Sequence, residues 1–163
     1  MLTGRNSLEK QIEDHIIQDK EKYYRIAFSY VKNVEDALDI VQESIYKAMS
    51  TIESLKNPMY IKTWFYRIVV NTSLDLLRKQ KKVVVIDKEV LDTHDLGTID
   101  TYTNVDLERA LDELPDYYRT IIILRFFEDL TIKEIAQVLD QNVNTVKTHL
   151  YKTLEKLRIK MND

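Results

Sequence analysis

Cysteine is absent from the chain. That excludes disulfides, thiolate metal ligands and a cysteine nucleophile. Glycine and proline are nearly absent too, with two of each in 163 residues. So few turn-forming residues disfavour a sheet built on tight hairpins and favour helices. No apolar run approaches the roughly 20 residues that span a bilayer. The opening stretch MLTGRNSLEKQIEDH lacks the apolar core of an export signal, which makes the cytoplasm the expected compartment. The histidines, His15, His94 and His149, are isolated, and no glycine-rich phosphate loop or metal-spaced cluster occurs. An enzyme is therefore disfavoured, and no metal, cofactor or small-molecule substrate is expected.

What is present is a 44% hydrophobic chain at net charge −3 that concentrates cations in one stretch. Residues 60–82 hold six basic side chains (Lys62, Arg67, Arg78, Lys79, Lys81, Lys82) against one acid, Asp75, a net of +5. On a helix of 3.6 residues per turn, Ile61, Phe65, Ile68, Val69, Thr72 and Leu76 share one face. Tyr60, Arg67, Asn71, Arg78 and Lys82 share the opposite face, with Trp64 at the border. A basic helix led by aromatics, inside an acidic protein, points to nucleic acid. Taken alone, it also fits a solvated amphipathic helix whose cations meet the helix dipole.

Three helices are expected before this one. Residues 7–18 place Leu8, Ile12 and Ile16 at helical spacing. Asp19 can cap a second helix to Val31, with Tyr23, Ile26, Ala27 and Tyr30 inward. Asn33 can cap a third, in which Leu38, Val41, Ile45, Ala48 or Met49, and Ile52 are expected inward. That helix leaves Glu35, Asp39, Gln42, Glu43 and Tyr46 outward. Asp39 and Glu43 stand at i, i+4, where like charges repel. They form either a solvated acidic face or one aimed at a basic partner. Asn57-Pro58 is a turn.

Residues 83–104 lose helical periodicity, and 87–100 hold five acids and one lysine. They read as an acidic linker, within which Val83–Ile86 is either a short strand or a packed segment. A second helical set follows. Leu107, Ala110, Leu111 and Leu114 form one stripe. Pro115 starts a helix whose run Ile121–Leu124, with Phe126 and Phe127, is too apolar for a free surface. Thr131 to Glu134 has the capping-box pattern ahead of a short helix with Ile132, Ile135, Ala136 and Leu139 inward. Asp140-Gln141-Asn142 makes a turn. The last helix buries Val146, Leu150, Leu154 and Leu157, and presents Asn144, Thr148, Tyr151 and Lys152, flanked by Thr145, Lys147 and His149. Short helix, three-residue turn and longer helix with a polar, basic outer face is a helix-turn-helix pattern fit for a major groove.

The two halves together resemble a sigma factor of the extracytoplasmic-function (ECF) type, in the sigma-70 family of RNA polymerase sigma factors, and look most similar to the sigma-V type of Gram-positive bacteria. The likeness is carried by EDALDIVQESIYKAM and KTWFYRIVVNTSLDLLRKQKK in the first half. In the second it is carried by ALDELPDYYRTIIILRFFEDLTIKEIAQVLDQNVNTVKTHLYKTLEKLR. It implies an all-α protein of two small helical domains, region 2 at 1–82 and region 4 at 105–163, joined by the acidic linker at 83–104. The first domain would bind the β′ clamp helices of core RNA polymerase through Asp39, Gln42 and Glu43. It would open and read the −10 element through Tyr60, Lys62, Trp64, Arg67, Asn71, Arg78 and Lys79, with the loop at 56–60. The second would read the −35 element through Asn144, Thr145, Lys147, Thr148, His149, Tyr151 and Lys152. The family often has glycine where Asp140 and Asn144 stand and arginine where His149 stands. Further implied partners are the polymerase β flap and an anti-sigma factor, often membrane-anchored, that holds the protein inactive until a cell-envelope stress signal. The rival reading is a stand-alone helix-turn-helix regulator, which would leave the acidic helix and the first basic helix without a role.

Overall fold

The computed structural model describes residues 2–83 and 104–162. The stretch 84–103, most of the expected linker, lies outside the described residues, as does the alternative of a strand over its first residues. Val83 itself ends a helix. The described residues are helical, with no strand among them. The chain divides into two compact units, the first built mainly from residues up to Gln80 and the second from the remainder.

In the first unit, α1 (Leu2–Val31) is kinked where expected: Asp19 carries non-helical backbone, φ −110° and ψ 15°. Lys32 ends it in the left-handed region at φ 62°. Asn33 then caps α2 (Val34–Ser50), its side-chain oxygen accepting the Asp36 N–H at 2.8 Å. Two single 3₁₀ turns, Ile52–Ser54 and Pro58–Tyr60, lead into α3 (Ile61–Val83). Tyr60 therefore belongs to the turn that precedes α3. The core takes in the α1 stripe Ile12, Ile16, Tyr23, Ile26, Ala27 and Tyr30 together with Phe65, Tyr66 and Val69 of α3. The Tyr23 ring meets Phe65 edge-on at 4.6 Å and Tyr66 at 4.7 Å. Such aromatic pairs add about 0.5–1.5 kcal/mol beyond the area they bury. Helices α2 and α3 run antiparallel: Asp36 is bonded to Gln80 at one end of the pair, and Lys47 to Thr72 further along.

The buried arc of α2 keeps Ala48, with Ile52 just after the helix, as expected, and otherwise differs from the expected one. Ala37, Ile40, Ser44 and Ala48 are buried, Val41, Ile45 and Met49 lie at its edge, and Leu38 is 53% exposed. Small residues allow close approach of the neighbouring helices, so the contact line follows the alanines and Ser44 in place of the largest apolar side chains.

The second unit comprises α4 (Asn104–Glu113), α5 (Asp116–Ile122), α6 (Ile132–Leu139) and α7 (Val143–Asn162). Pro115 occupies the N-cap of α5. Helix α5 continues into a π-helical turn, Ile123–Phe127, closed by Glu128 N–H on the Ile123 carbonyl at 3.0 Å. Ile121 to Leu124 are buried as expected, but Phe126 and Phe127 are half exposed. The wider turn rotates them off the 3.6-residue register that the sequence reading assumed. Leu130, Ile135, Ala136, Val138, Val146 and Leu150 complete the core.

Candidate nucleic-acid and partner interfaces

On α3 the two faces separate cleanly. Ile61, Phe65, Val69 and Thr72 are buried, with Ile68 and Leu76 at the edge, while Tyr60, Arg67, Asn71, Arg78 and Lys79 are exposed and Lys62 is partly so. Burial extends further round the helix than the sequence stripe, taking in Thr63, Tyr66, Val70 and Ser73. Trp64 is neither core nor free. It is partly exposed, and its indole N–H donates to Ser54 Oγ at 2.9 Å, tying α3 to the first 3₁₀ turn. The second 3₁₀ turn is held by Asn57, whose side chain accepts the Met59 N–H at 2.9 Å, and it presents Met59 at 78% exposure next to Tyr60. Arg78 is engaged, bonded to Asp75 at 2.9 Å.

On α2, Asp39, Gln42 and Glu43 are all exposed, and none has a hydrogen-bond or ion-pair partner among the described residues. Leu38 and, at 70% exposure, Tyr46 lie beside them. The exposed face thus combines two uncompensated carboxylates with apolar surface, a composition suited to a basic, partly apolar protein partner.

In the second unit the capping box is made in both directions: Thr131 N–H donates to Glu134 Oε1 at 2.9 Å, and Glu134 N–H donates to Thr131 Oγ1 at 3.1 Å. Asp140 takes the left-handed position at φ 54°, and Gln141 N–H closes on the Ala136 carbonyl at 2.9 Å, ending α6 as glycine otherwise would. The Asn142 side chain accepts the Asn144 N–H at 2.7 Å and so opens α7. Val146, Leu150 and Leu157 are buried, while Asn144, Lys147, Thr148, Tyr151 and Lys152 are exposed and Thr145 is partly so. His149 turns inward, its Nδ1 2.9 Å from the Tyr117 hydroxyl and its ring edge-on to Tyr117 and Tyr118 at 5.3 and 5.6 Å. Burial, with Tyr118 beside it, raises the Tyr117 pKa from its ordinary value.

Residues 17–83 match the family model "Sigma-70 region 2" and residues 104–157 match "Sigma-70, region 4". Over 150 residues the chain is 56% identical to RNA polymerase sigma factor SigV of Bacillus subtilis (strain 168), covering 92% of this chain and 88% of that protein. It is 33% identical to the ECF RNA polymerase sigma factor SigW of the same organism, covering 88% of this chain and 85% of that one. The chain belongs to the ECF group of the sigma-70 family. Sigma factors are transcription initiation factors, and this placement sets aside the stand-alone regulator. The fold agrees. A solved structure of the sigma factor RpoE of Bartonella quintana, in complex with the anti-sigma factor NepR, is similar at TM-score 0.70 and 18% identity, over 94% of this chain and 98% of that one. CnrH, solved with the cytosolic domain of CnrY, is similar at TM-score 0.67 and 19% identity, over 93% of this chain and 87% of that one.

For this sigma factor, sequence reasoning missed several surface features. Helical period points Leu38 to the core, though it lies next to Asp39 on the exposed face. The apolar run points Phe126 and Phe127 there too, yet with Leu107, Leu111, Ile122, Leu154, Leu157 and Arg158 they line an open groove of about 350 Å³ in the second unit. Nothing in the sequence pattern marks Lys47 of α2, although it reaches across to α3. No helix among the described residues of the sigma factor is long and apolar enough to cross a membrane.

Proposed function

We propose that the sigma factor engages core polymerase and promoter DNA through three separate faces, acting by binding alone in the cytoplasm. Asp39, Gln42 and Glu43 meet the β′ clamp helices. The α3 face, with Tyr60, Lys62, Trp64, Arg67, Asn71, Arg78 and Lys79, opens and reads the −10 element. Helix α7, with Asn144, Thr145, Lys147, Thr148, Tyr151 and Lys152, reads the −35 element. His149 contributes from the side, its Nδ1 engaged by Tyr117. The groove beside Phe126 and Phe127 offers the polymerase β flap an apolar seat. An anti-sigma factor, such as the one that accompanies the solved RpoE, restrains the protein and, where it is membrane-anchored, holds it at the membrane until an envelope signal.

The observation that carries this reading is the coexistence of an exposed, unpaired acidic face on α2 with exposed cationic faces on α3 and α7. DNA binding accounts for the cationic faces only; the acidic one favours a basic protein partner. The −35 assignment is tested by titrating the holoenzyme on single-base promoter variants at several salt concentrations. Asn144 and Thr148, early in the recognition helix, approach base edges. Asn144→Ala or Thr148→Ala is expected to change which −35 sequence is preferred, with about 1–3 kcal/mol lost at one base step. Lys152→Ala is expected to weaken all sequences alike and lower the salt slope by about one. Identical, sequence-independent losses in all three would remove base reading from α7.

A further inference from the structure

Asp75 is the one acid among the six cations of residues 60–82. Helical spacing places it one turn from Asn71 and beside Arg78, at the edge of the exposed face. It is half exposed, so no burial requirement explains its charge. Its two carboxylate oxygens point at cations from different helices: Oδ1 accepts from Arg78 Nη2 at 2.9 Å, and Oδ2 lies 3.9 Å from Lys47 Nζ of α2. Lys47 is held there independently, donating to Oγ1 of the buried Thr72 at 3.1 Å.

We infer that Lys47 and Arg78 form a phosphate-binding site across the α2–α3 seam, which the Asp75 carboxylate occupies until DNA displaces it. Two cations converging on one oxyanion is the arrangement that also suits a phosphate, whose oxygens accept the same charge-assisted bonds. With the carboxylate counted, the trio carries net +1 and accommodates one phosphate charge. Exposed ion pairs are weak enough for a polyanion to displace. Thr72 keeps the Lys47 ammonium at the seam when the carboxylate leaves it. Asp75 thereby lowers the affinity of α3 for any passing polyanion and reserves the site for DNA already positioned by other contacts. The inference rests on the reading that α3 meets DNA and adds to it a residue from α2.

The test is an anisotropy titration of the chain assembled with core RNA polymerase, on a labelled random-sequence duplex carrying an unpaired tract, at several salt concentrations. Lys47→Gln removes the charge but can still donate to Thr72. It is expected to weaken binding about three- to tenfold and to lower the salt slope by about one. Lys47→Arg keeps the charge and is expected to stay within about twofold of wild type. Asp75→Asn is expected to tighten binding about two- to fivefold. Unchanged affinity and slope in Lys47→Gln, or no tightening in Asp75→Asn, overturns the inference. Arg67→Ala separates this failure from a wider one. If it weakens binding while Lys47→Gln does not, α3 meets DNA without this site; if neither changes, the α3 assignment itself falls.

Discussion

His15 stands half-buried at the kink of α1, its Nε2 against the Tyr23 hydroxyl and Asp19 3.8 Å away. Burial lowers its pKa from the ordinary 6.5; Asp19 opposes that shift, and Lys22 with Lys62 of α3 reinforces it. Because the folded-state value is the lower one, the unfolded chain binds more protons once the pH falls below about 6.5. Stability contributed by neutral His15 is thus present above that pH, declines as the pH drops toward the folded-state value, and levels off below it. Trp64 is the one tryptophan in the chain and lies in the first unit, so its fluorescence reports that unit's unfolding. Urea midpoints measured from about pH 7.5 to 5.5 should fall in wild type and fall less in His15→Gln; parallel curves would remove His15 from the pH response. In the sequence this histidine reads only as isolated. Its partner Tyr23 is eight residues away across the kink, a distance that periodicity does not register. His149 was legible as a position on α7, but its bond to Tyr117, 32 residues earlier, was not.

At the scale of elements, the boundaries written in side-chain chemistry were legible. The Asp19 kink, the Asn33 cap, the reciprocal Thr131–Glu134 box and left-handed Asp140 each follow from local hydrogen bonding or backbone preference, which depends on near neighbours alone. Inward faces were less legible. Hydrophobic period on the α2 segment points to Ala48 and Ile52, which are buried, but also to Leu38, whereas the contact line takes in Ala37, Ile40 and Ser44, because hydrophobic period locates an arc without stating how closely a neighbour approaches. The π turn after α5 moved Phe126 and Phe127 outward for a related reason, since nothing in ILRFF marks a change of helical pitch. Helix α3 was read most fully, its wide apolar arc and cationic face being strongly contrasted. Asn71 is exposed on that face, and Trp64 is fixed beside it through Ser54. Asn71→Ala and Trp64→Ala should therefore reduce promoter opening more than initial binding, with Trp64 acting as an aromatic surface for an unstacked base. Permanganate reactivity of the −10 region, set against closed-complex affinity, measures the two separately. Equal losses in both would point to a damaged fold.

Across the whole molecule, the order of segments carried the functional reading: an acidic helix, a basic helix, a stretch without period and a helix-turn-helix. The chain's net charge of −3 conceals this arrangement, since α3 and α7 are each net cationic within an acidic chain. The proposed working of this sigma factor as a part of polymerase is tested most directly by co-purification of core RNA polymerase with the full chain and with the double variant Asp39→Arg, Glu43→Arg. Both positions are exposed and without partners among the described residues, so the variant should fold as wild type does. Setting cations against a basic partner surface costs on the order of several kcal/mol. Wild type should retain the polymerase and the double variant should lose it. Equal recovery of polymerase by both would contradict the assignment of the α2 face.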